Sequence, residues 1–258
     1  MFLQLILLLC IIIIIFFWQT TKYQKENFHN LFSIKVYIIH QKDKIHRMEQ
    51  MKNQLKYFSN YTIVEPVSTE YIKHNMENLI ENGFILPKVQ SDIYLEPIQG
   101  NLTLPSLSLA LTMFHIYQLQ QDKDEMFIIL EDDFLLSENF LQKFVEMMEH
   151  VPKNWDILYL SCHVESFLER NPTEKYNPII KVAKLIHGMG AVLYNKNVAS
   201  ILVENILPFE KQIDHDLPEK FFKQNQVLNG YILRDENLKK IIENNNYYYN
   251  STTQNVEK

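Results

Sequence analysis

Three consecutive carboxylates, Glu131-Asp132-Asp133, directly follow the apolar run 126–130. Such a run is typical of a strand buried on both faces, and ligands of open α/β sheets bind beyond the carboxyl ends of strands. Alternate residues of an extended chain share a face, so Glu131 and Asp133 should point together and Asp132 away. Because clustered carboxylates repel one another unless a cation lies among them, the pattern indicates a Mg²⁺ or Mn²⁺ site. The alternative is a solvated acidic turn before a helix.

A second group of candidate residues lies in segment 212–218. Its Asp214, His215 and Asp216 can ligate a metal, or a carboxylate among them can act as general base toward an acceptor hydroxyl. The same pattern is also typical of a helix N-cap before a proline. Upstream, Gly188 either lets the backbone approach a ligand closely or forms an ordinary turn.

The elements that must position these residues can be predicted from apolar periodicity. The predicted strands are 34–39, 61–64, 126–130, 156–160 and 191–194, and the predicted helices are about 45–58, 106–121, 137–150 and 196–205. Strands that alternate with helices imply an α/β layered fold with a mostly parallel sheet.

The first 21 residues carry no charged side chain, and residues 2–18 are apolar except for Gln4. At ~1.5 Å per residue such a helix reaches about 25–30 Å, which suffices for a thin bilayer. The absence of a preceding Lys or Arg and of a small-residue cleavage site favours an uncleaved anchor over a cleaved signal peptide or a buried helix. The predicted organisation is an anchor helix at 1–21, a stem at 22–33, a folded domain at 34–243 and a disordered tail at 244–258.

Composition excludes several classes of protein. The net charge is −6 with no basic run, which argues against nucleic-acid binding. Two cysteines cannot build a disulfide framework. The orientation of the anchor stays open on charge alone, because two lysines after the span favour a cytoplasmic body, whereas sequons at Asn60, Asn101 and Asn250 favour a lumenal one.

Six segments of the chain, in this order, resemble glycosyltransferase family 25, the group of lipooligosaccharide and procollagen galactosyltransferase-like enzymes. The segments are 36–48, 108–113, 127–133, 155–160, 190–196 and 213–218. The two most specific are 127–133, which matches the family's LILEDD metal motif, and 213–218, which resembles the VD-x-x-LP segment of the collagen-type branch.

The resemblance implies a GT-A type nucleotide-sugar-binding fold and a metal-assisted hexosyltransferase. Such an enzyme would use Mn²⁺ or Mg²⁺ to move galactose or glucose from a UDP-sugar, with inversion, to a glycan or a hydroxylated protein side chain. The implied site residues are, for the metal, Glu131, Asp133 and His215; for the donor, Lys42, Arg47, Asp132 and Gly188; and for catalysis, Asp214 and Asp216.

The resemblance also bears on location, because secretory glycosyltransferases commonly have a short tail, one span and a stem. We therefore expect a single-pass type II membrane protein of the endoplasmic reticulum or Golgi with a lumenal catalytic domain. This expectation outweighs the two lysines after the span.

The chain departs from the family pattern at several positions. His40 stands where the family has Asn, Thr112-Met113 stands where it has Ser-His unless His115 substitutes, and Ser161 replaces a glycine. These departures motivate a second hypothesis, a catalytically inactive, membrane-tethered glycan- or partner-binding protein with the same fold. A third, a metal-dependent phosphohydrolase, requires further His or Asp ligands at suitable spacing.

Overall fold

The computed structural model describes residues 34–90, 93, 101–161, 179–182, 188–224, 226–233 and 242–244. Its strands are β1 Lys35–Ile39, β2 Tyr61–Val64, β3 Phe127–Glu131, β4 Phe134–Leu136, β5 Ile157–Ser161, β6 Ile179–Lys181, β7 Ala191–Tyr194, β8 Gly230–Leu233 and β9 Ile242–Asn244. Its α-helices are α1 Ile45–Lys52, α2 Thr69–His74, α3 Met76–Glu81, α4 Leu104–Gln120, α5 Phe140–His150, α6 Val198–Asn205 and α7 Ile213–Leu217. Short 3₁₀ turns occur at Leu55–Tyr57 and Pro87–Val89, and a π-helical segment at Pro218–Gln224.

Seven strands form a central sheet in the order β2-β1-β3-β7-β5-β8-β6. Five of them run in one direction, whereas β7 and β6 run antiparallel to their neighbours. The predicted α/β fold with a mostly parallel sheet is therefore confirmed, with the correction that the sheet is mixed. In the register of the three parallel strands, Ile39 aligns with Val64 on one side and with Glu131 on the other. The carboxyl ends of β1, β2 and β3 thus form one edge.

Strand β3 is covered on both faces, as its continuous apolar run predicts. Phe127 and Ile129 belong to the core that contains α4, whereas Ile128 and Leu130 belong to the core that contains α5. All four side chains are buried. This two-sided packing fixes the end of β3, and with it the position of Glu131.

Helix α4 begins at a capping box rather than at the predicted residue 106. The Thr103 hydroxyl accepts the Ser106 N–H at 3.3 Å, and the Ser106 hydroxyl accepts the Thr103 N–H at 2.7 Å. Because this exchange satisfies backbone donors that the first turn leaves open, the helix starts two residues earlier, at Leu104. At its other end the Gln120 side-chain amide donates to the Tyr37 hydroxyl at 2.7 Å, which joins α4 to β1.

The C-terminal segment holds an element that apolar periodicity does not reveal. Strand β9 pairs antiparallel with β4, the short strand that follows Asp133. Asn244 belongs to β9. The first residue of the predicted tail, 244–258, is therefore part of a strand. Residues 245–258 lie outside the described residues.

The predicted helix 45–58 is also interrupted. Helix α1 ends at Lys52. The Gln54 side chain then bonds to the backbone of β4, donating to the Phe134 carbonyl at 3.3 Å and accepting the Leu136 N–H. The Gln54 side chain therefore binds the backbone of β4 and is not part of a longer helix.

The predicted anchor at 1–21 and stem at 22–33 lie outside the described residues. Within the part of the chain that the structure describes, no helix has the length and apolar character needed to cross a bilayer.

Candidate active site

The acidic cluster lies at the carboxyl end of β3. Glu131 is the last residue of that strand, and its N–H bonds to the Gly190 carbonyl at 2.9 Å. Burial, followed by repulsion from Asp133, Asp132 and Asp214, raises the pKa of Glu131 to about 8. Burial also raises the pKa of Asp133. Burial therefore disfavours the charged form of the two carboxyl groups that flank Asp132.

Asp132 makes contacts that its two acidic neighbours do not. Its Oδ2 lies 2.8 Å from His40 Nδ1, and its Oδ1 accepts a hydrogen bond from Arg47 Nη1 at 2.6 Å. His40 and Asp132 are both buried. Because His40 directly follows β1 and Arg47 lies on α1, Asp132 joins the β1–α1 segment to the end of β3. Arg47 Nη1 also lies 3.9 Å from Asp133 Oδ2.

The other two residues predicted to bind the donor differ in position. Lys42 is exposed and pairs with Glu65 at the surface. Gly188 has φ +83°, a left-handed conformation that glycine adopts without strain. Its N–H donates to Asp214 Oδ2 at 2.9 Å. The structure therefore brings Gly188 and Asp214 together, although 26 residues separate them.

Asp214 is the only one of the candidate carboxylates among the described residues to hold a buried side-chain oxygen without a hydrogen-bond partner. That atom is Oδ1. Glu131 bonds to the backbone of Gly190, two residues after the Gly188 that bonds to Asp214, so Asp214 lies near the acidic cluster. A buried oxygen without a hydrogen-bond partner among the described residues is a position where a cation or a ligand hydroxyl would be stabilised.

The Asp216 carboxylate binds the backbone just before α7. Its Oδ2 accepts the N–H groups of Glu210 and Lys211 at 2.8 and 3.1 Å, and lies 3.6 Å from Lys220 Nζ. Burial raises the pKa of Asp216, whereas Lys220 and the two backbone donors lower it. These contacts shape the turn before α7. The predicted catalytic role of Asp216 stays a prediction.

Two of the residues that depart from the family pattern, Thr112 and Met113, are packed inside the fold. Thr112 is buried, and its hydroxyl accepts the Val67 N–H at 2.9 Å and donates to the Ser108 carbonyl at 2.6 Å. Met113 is buried, whereas His115 is exposed. His40, which the sequence singled out only as a departure, is the residue at the site that sequence reasoning missed. Its one signal was a polar residue directly after an apolar strand.

The carboxylates at the end of β3 fit a divalent cation whose other ligands would come from a substrate. Across the described ranges, no three His, Cys, Asp or Glu side chains form a ready-made metal-binding group, so Glu131, Asp133 and His215 do not form one. Mg²⁺ typically takes one or two carboxylates, with substrate phosphates and waters as the other ligands. Glu131 ends β3 and Asp133 follows two residues later, so the two supply such carboxylates. His215 is buried and already interacts with other groups of the fold.

A mostly parallel α/β sheet with an acidic cluster beyond a buried strand is the architecture in which open α/β sheets commonly bind ligands. The chain belongs to glycosyltransferase family 25, since the family described as "Glycosyltransferase family 25 (LPS biosynthesis protein)" matches residues 33–253. The resemblance drawn from the six segments is thereby confirmed.

The crystal structure of mouse Xyloside xylosyltransferase 1 in its apo form is similar over 66% of this chain and 57% of that chain, with 9% identity and a TM-score of 0.31. No curated protein matches the chain significantly.

Proposed function

We propose that the protein is a metal-assisted hexosyltransferase with a GT-A type fold, which moves galactose or glucose from a UDP-sugar to a glycan or a hydroxylated protein side chain with inversion. The observation that carries the proposal is the placement of Glu131 and Asp133 at the end of a strand buried on both faces, within the family match. A Mn²⁺ or Mg²⁺ ion held there would neutralise the departing nucleoside diphosphate.

The chain's own residues would position the donor. Arg47 and His40 fix Asp132 from two directions, so the turn that carries Glu131 and Asp133 is held before any ligand binds. Preorganised charges of this kind act on the transition state without reorganisation. Lys42 and Gly188 are proposed donor contacts from neighbouring segments.

Asp214 is the proposed general base. Inverting transfer requires a carboxylate that takes the proton of the acceptor hydroxyl. The Gly188 N–H donates to Oδ2 of Asp214, while Oδ1 of Asp214 has no hydrogen-bond partner in the described part of the chain. Asp216 is a weaker candidate, because two backbone N–H groups and Lys220 already engage its carboxylate.

The proposed location is the lumen of the endoplasmic reticulum or Golgi, with residues 1–21 as a type II signal anchor. The uncharged N-terminal run and the family membership support this topology. It predicts that intact microsomes protect the body from protease and that glycosidase changes its mobility. Digestion of the body together with unchanged mobility would overturn it.

The experiment that tests the activity is UDP release from a panel of UDP-sugars with Mn²⁺, for the wild type and for Asp133→Ala. We expect one donor to give metal-dependent release that falls at least about 100-fold in the variant, the magnitude for loss of a key electrostatic group. Asp43→Ala is the matched control, since Asp43 is exposed and outside the cluster. Equal, metal-independent background from all three proteins would instead support the alternative, a non-catalytic, membrane-tethered glycan- or partner-binding protein.

A further inference from the structure

A hollow of about 330 Å³ lies where α4 faces α2 and α3. Its apolar part includes Phe84 and Phe114, whose rings pack edge-on with centroids 5.7 Å apart. Its polar part includes Asn78, His115 and Gln118. The volume lies within the range of small-molecule sites, about 300–1,000 Å³. None of its lining residues belongs to the acidic cluster or contacts it in the hydrogen bonds described above.

The lining selects against charged ligands. Among the described residues its lining contains no Lys, Arg, Asp or Glu, so it offers none of these charged side chains to pair with a phosphate, a carboxylate or an ammonium group. Its polar groups are amides, a phenol and an imidazole. This composition suits a neutral molecule with many hydroxyl groups, because an amide both donates and accepts hydrogen bonds.

Several of these polar groups are available to a ligand. The Asn82 amide donates to the Asn78 carbonyl at 2.8 Å and to the Asn78 side-chain oxygen, which leaves the Asn78 amide hydrogens without a partner among the described residues. The Gln118 amide likewise makes no hydrogen bond within the described part of the chain. Tyr71 borders the same hollow with 55% of its surface exposed. An exposed aromatic ring beside free amides can stack on the C–H face of a pyranose while the amides bind its hydroxyls.

We propose that this hollow is a binding subsite for a neutral glycan, namely part of the acceptor. The inference rests on the proposed function, because its occupant is the acceptor of that reaction.

The position of the hollow relative to the acidic cluster supports an acceptor role. Val67 lines the hollow and follows β2 by three residues. Val64, at the end of β2, shares a row with Ile39 and Glu131, and two strand spacings correspond to about 10 Å. The Val67 N–H and carbonyl bond to the hydroxyls of Thr112 and Ser108 at 2.9 and 2.5 Å, so α4 and the sheet edge are fixed to each other. An oligosaccharide of a few units can therefore reach from the hollow toward the acidic cluster.

The test is saturation-transfer NMR on the full chain in lipid nanodiscs, with lactose, maltose, cellobiose and N,N′-diacetylchitobiose as probes and glucuronic acid as the charged comparison. We expect at least one neutral disaccharide to receive saturation, and the signal to fall at least fivefold in Tyr71→Ala and in Gln118→Ala. His74→Ala is the matched control, because His74 is exposed on the same helix as Tyr71 but does not line the hollow. The same binding should persist in Asp133→Asn and in the presence of UDP.

The outcomes separate the subsite from the active site. Binding that persists in Asp133→Asn, even if no UDP-sugar is turned over, supports the glycan subsite and leaves the donor chemistry to the release assay. No binding by any neutral probe, binding that Tyr71→Ala and Gln118→Ala leave unchanged, or preferential binding of glucuronic acid would overturn the subsite. Displacement of the sugar by UDP would also overturn it, since that would place the sugar at the donor site.

Discussion

His40 Nδ1 and Asp132 Oδ2 lie 2.8 Å apart, although 92 residues separate them in the sequence. Arg47 occupies the other oxygen of the same carboxylate. Through these contacts Asp132 holds the segment after β1, helix α1 and the end of β3 together. The middle carboxylate of the acidic motif therefore fixes the two that flank it.

The first prediction concerns the stability that this contact provides. Asp132→Ala leaves a buried His40 and a mostly buried Arg47 without their shared partner. Because Arg47 keeps Asp133 at 3.9 Å, the loss of these hydrogen bonds should cost about 1–3 kcal/mol. Urea denaturation should therefore show a lower unfolding midpoint at an unchanged slope.

Asp43→Ala provides the control for this loss. Asp43 is exposed and lies 4.0 Å from Lys44, so its removal should change stability by less than about 0.5 kcal/mol. His40→Asn, which keeps a side-chain donor, should lose less than Asp132→Ala. Equal midpoints for Asp132→Ala and Asp43→Ala would show that the contact does not stabilise the fold.

The second prediction concerns metal binding and is independent of turnover. Mn²⁺ should raise the melting temperature of the wild type, because a ligand at 100-fold above its Kd stabilises the folded state by about 2.7 kcal/mol. Asp133→Asn should remove most of this shift. Asp122→Asn should retain it, since Asp122 is exposed in the turn after α4. Identical shifts in all three proteins would place the ion elsewhere.

The sequence predicted the parts of this site that depend on local pattern. A run of five apolar residues before three carboxylates identifies β3 and its end, because burial on both faces requires such a run. The acidic cluster could be located for the same reason. Gly188 and Asp214 could be singled out separately as candidates, each on local grounds.

The contacts between distant segments could not be predicted. The His40–Asp132 pair depends on the register of β1 against β3, and the Gly188–Asp214 bond depends on how α7 packs. Strands β4 and β9 each contain three residues, which is too few for an alternation signal. The residues that line the hollow are separated along the chain, and only packing of α2, α3 and α4 brings them together.

The third prediction concerns the sequon Asn101-Leu102-Thr103. It distinguishes the helix-capping role of Thr103 from a role of the sequon in N-glycosylation. Thr103 caps α4, so Thr103→Ala should destabilise the protein by about 1 kcal/mol. Asn101→Gln also removes the sequon but leaves the cap intact. In thermal melts of unglycosylated protein, only Thr103→Ala should lower the midpoint. An equal decrease in both variants would argue against the cap as the cause.

The fourth prediction is a pH dependence. A hydrogen bond from Lys211 lowers the pKa of Glu219 below its ordinary value of 4.5. A depressed carboxylate pKa stabilises the folded state above the unfolded pKa, and this contribution is lost as the pH falls through the folded pKa. Glu219→Gln should thus cost less than about 1 kcal/mol at pH 7, because the pair is partly exposed. The cost should vanish at pH 3.

Glu49→Gln is the control for that measurement, since Glu49 is exposed and forms no ion pair among the described residues. Its unfolding free energy should differ from the wild type by less than about 0.5 kcal/mol at both pH values. A Glu219→Gln difference that grew on acidification would reverse the expected sign and contradict the assigned pKa shift.

The fifth prediction concerns the close approach of β8 to the segment after α7. A Cβ at Gly230 would lie 2.3 Å from Cζ of Phe222, a side chain that is buried and packs edge-on against Tyr159. Gly230→Ala should therefore cost about 1–3 kcal/mol through overpacking. Phe222→Leu removes the ring atoms that the new methyl group meets, so the double variant should lose less than the sum of the two single losses. Strictly additive losses in urea denaturation would show that the two positions do not compete for space.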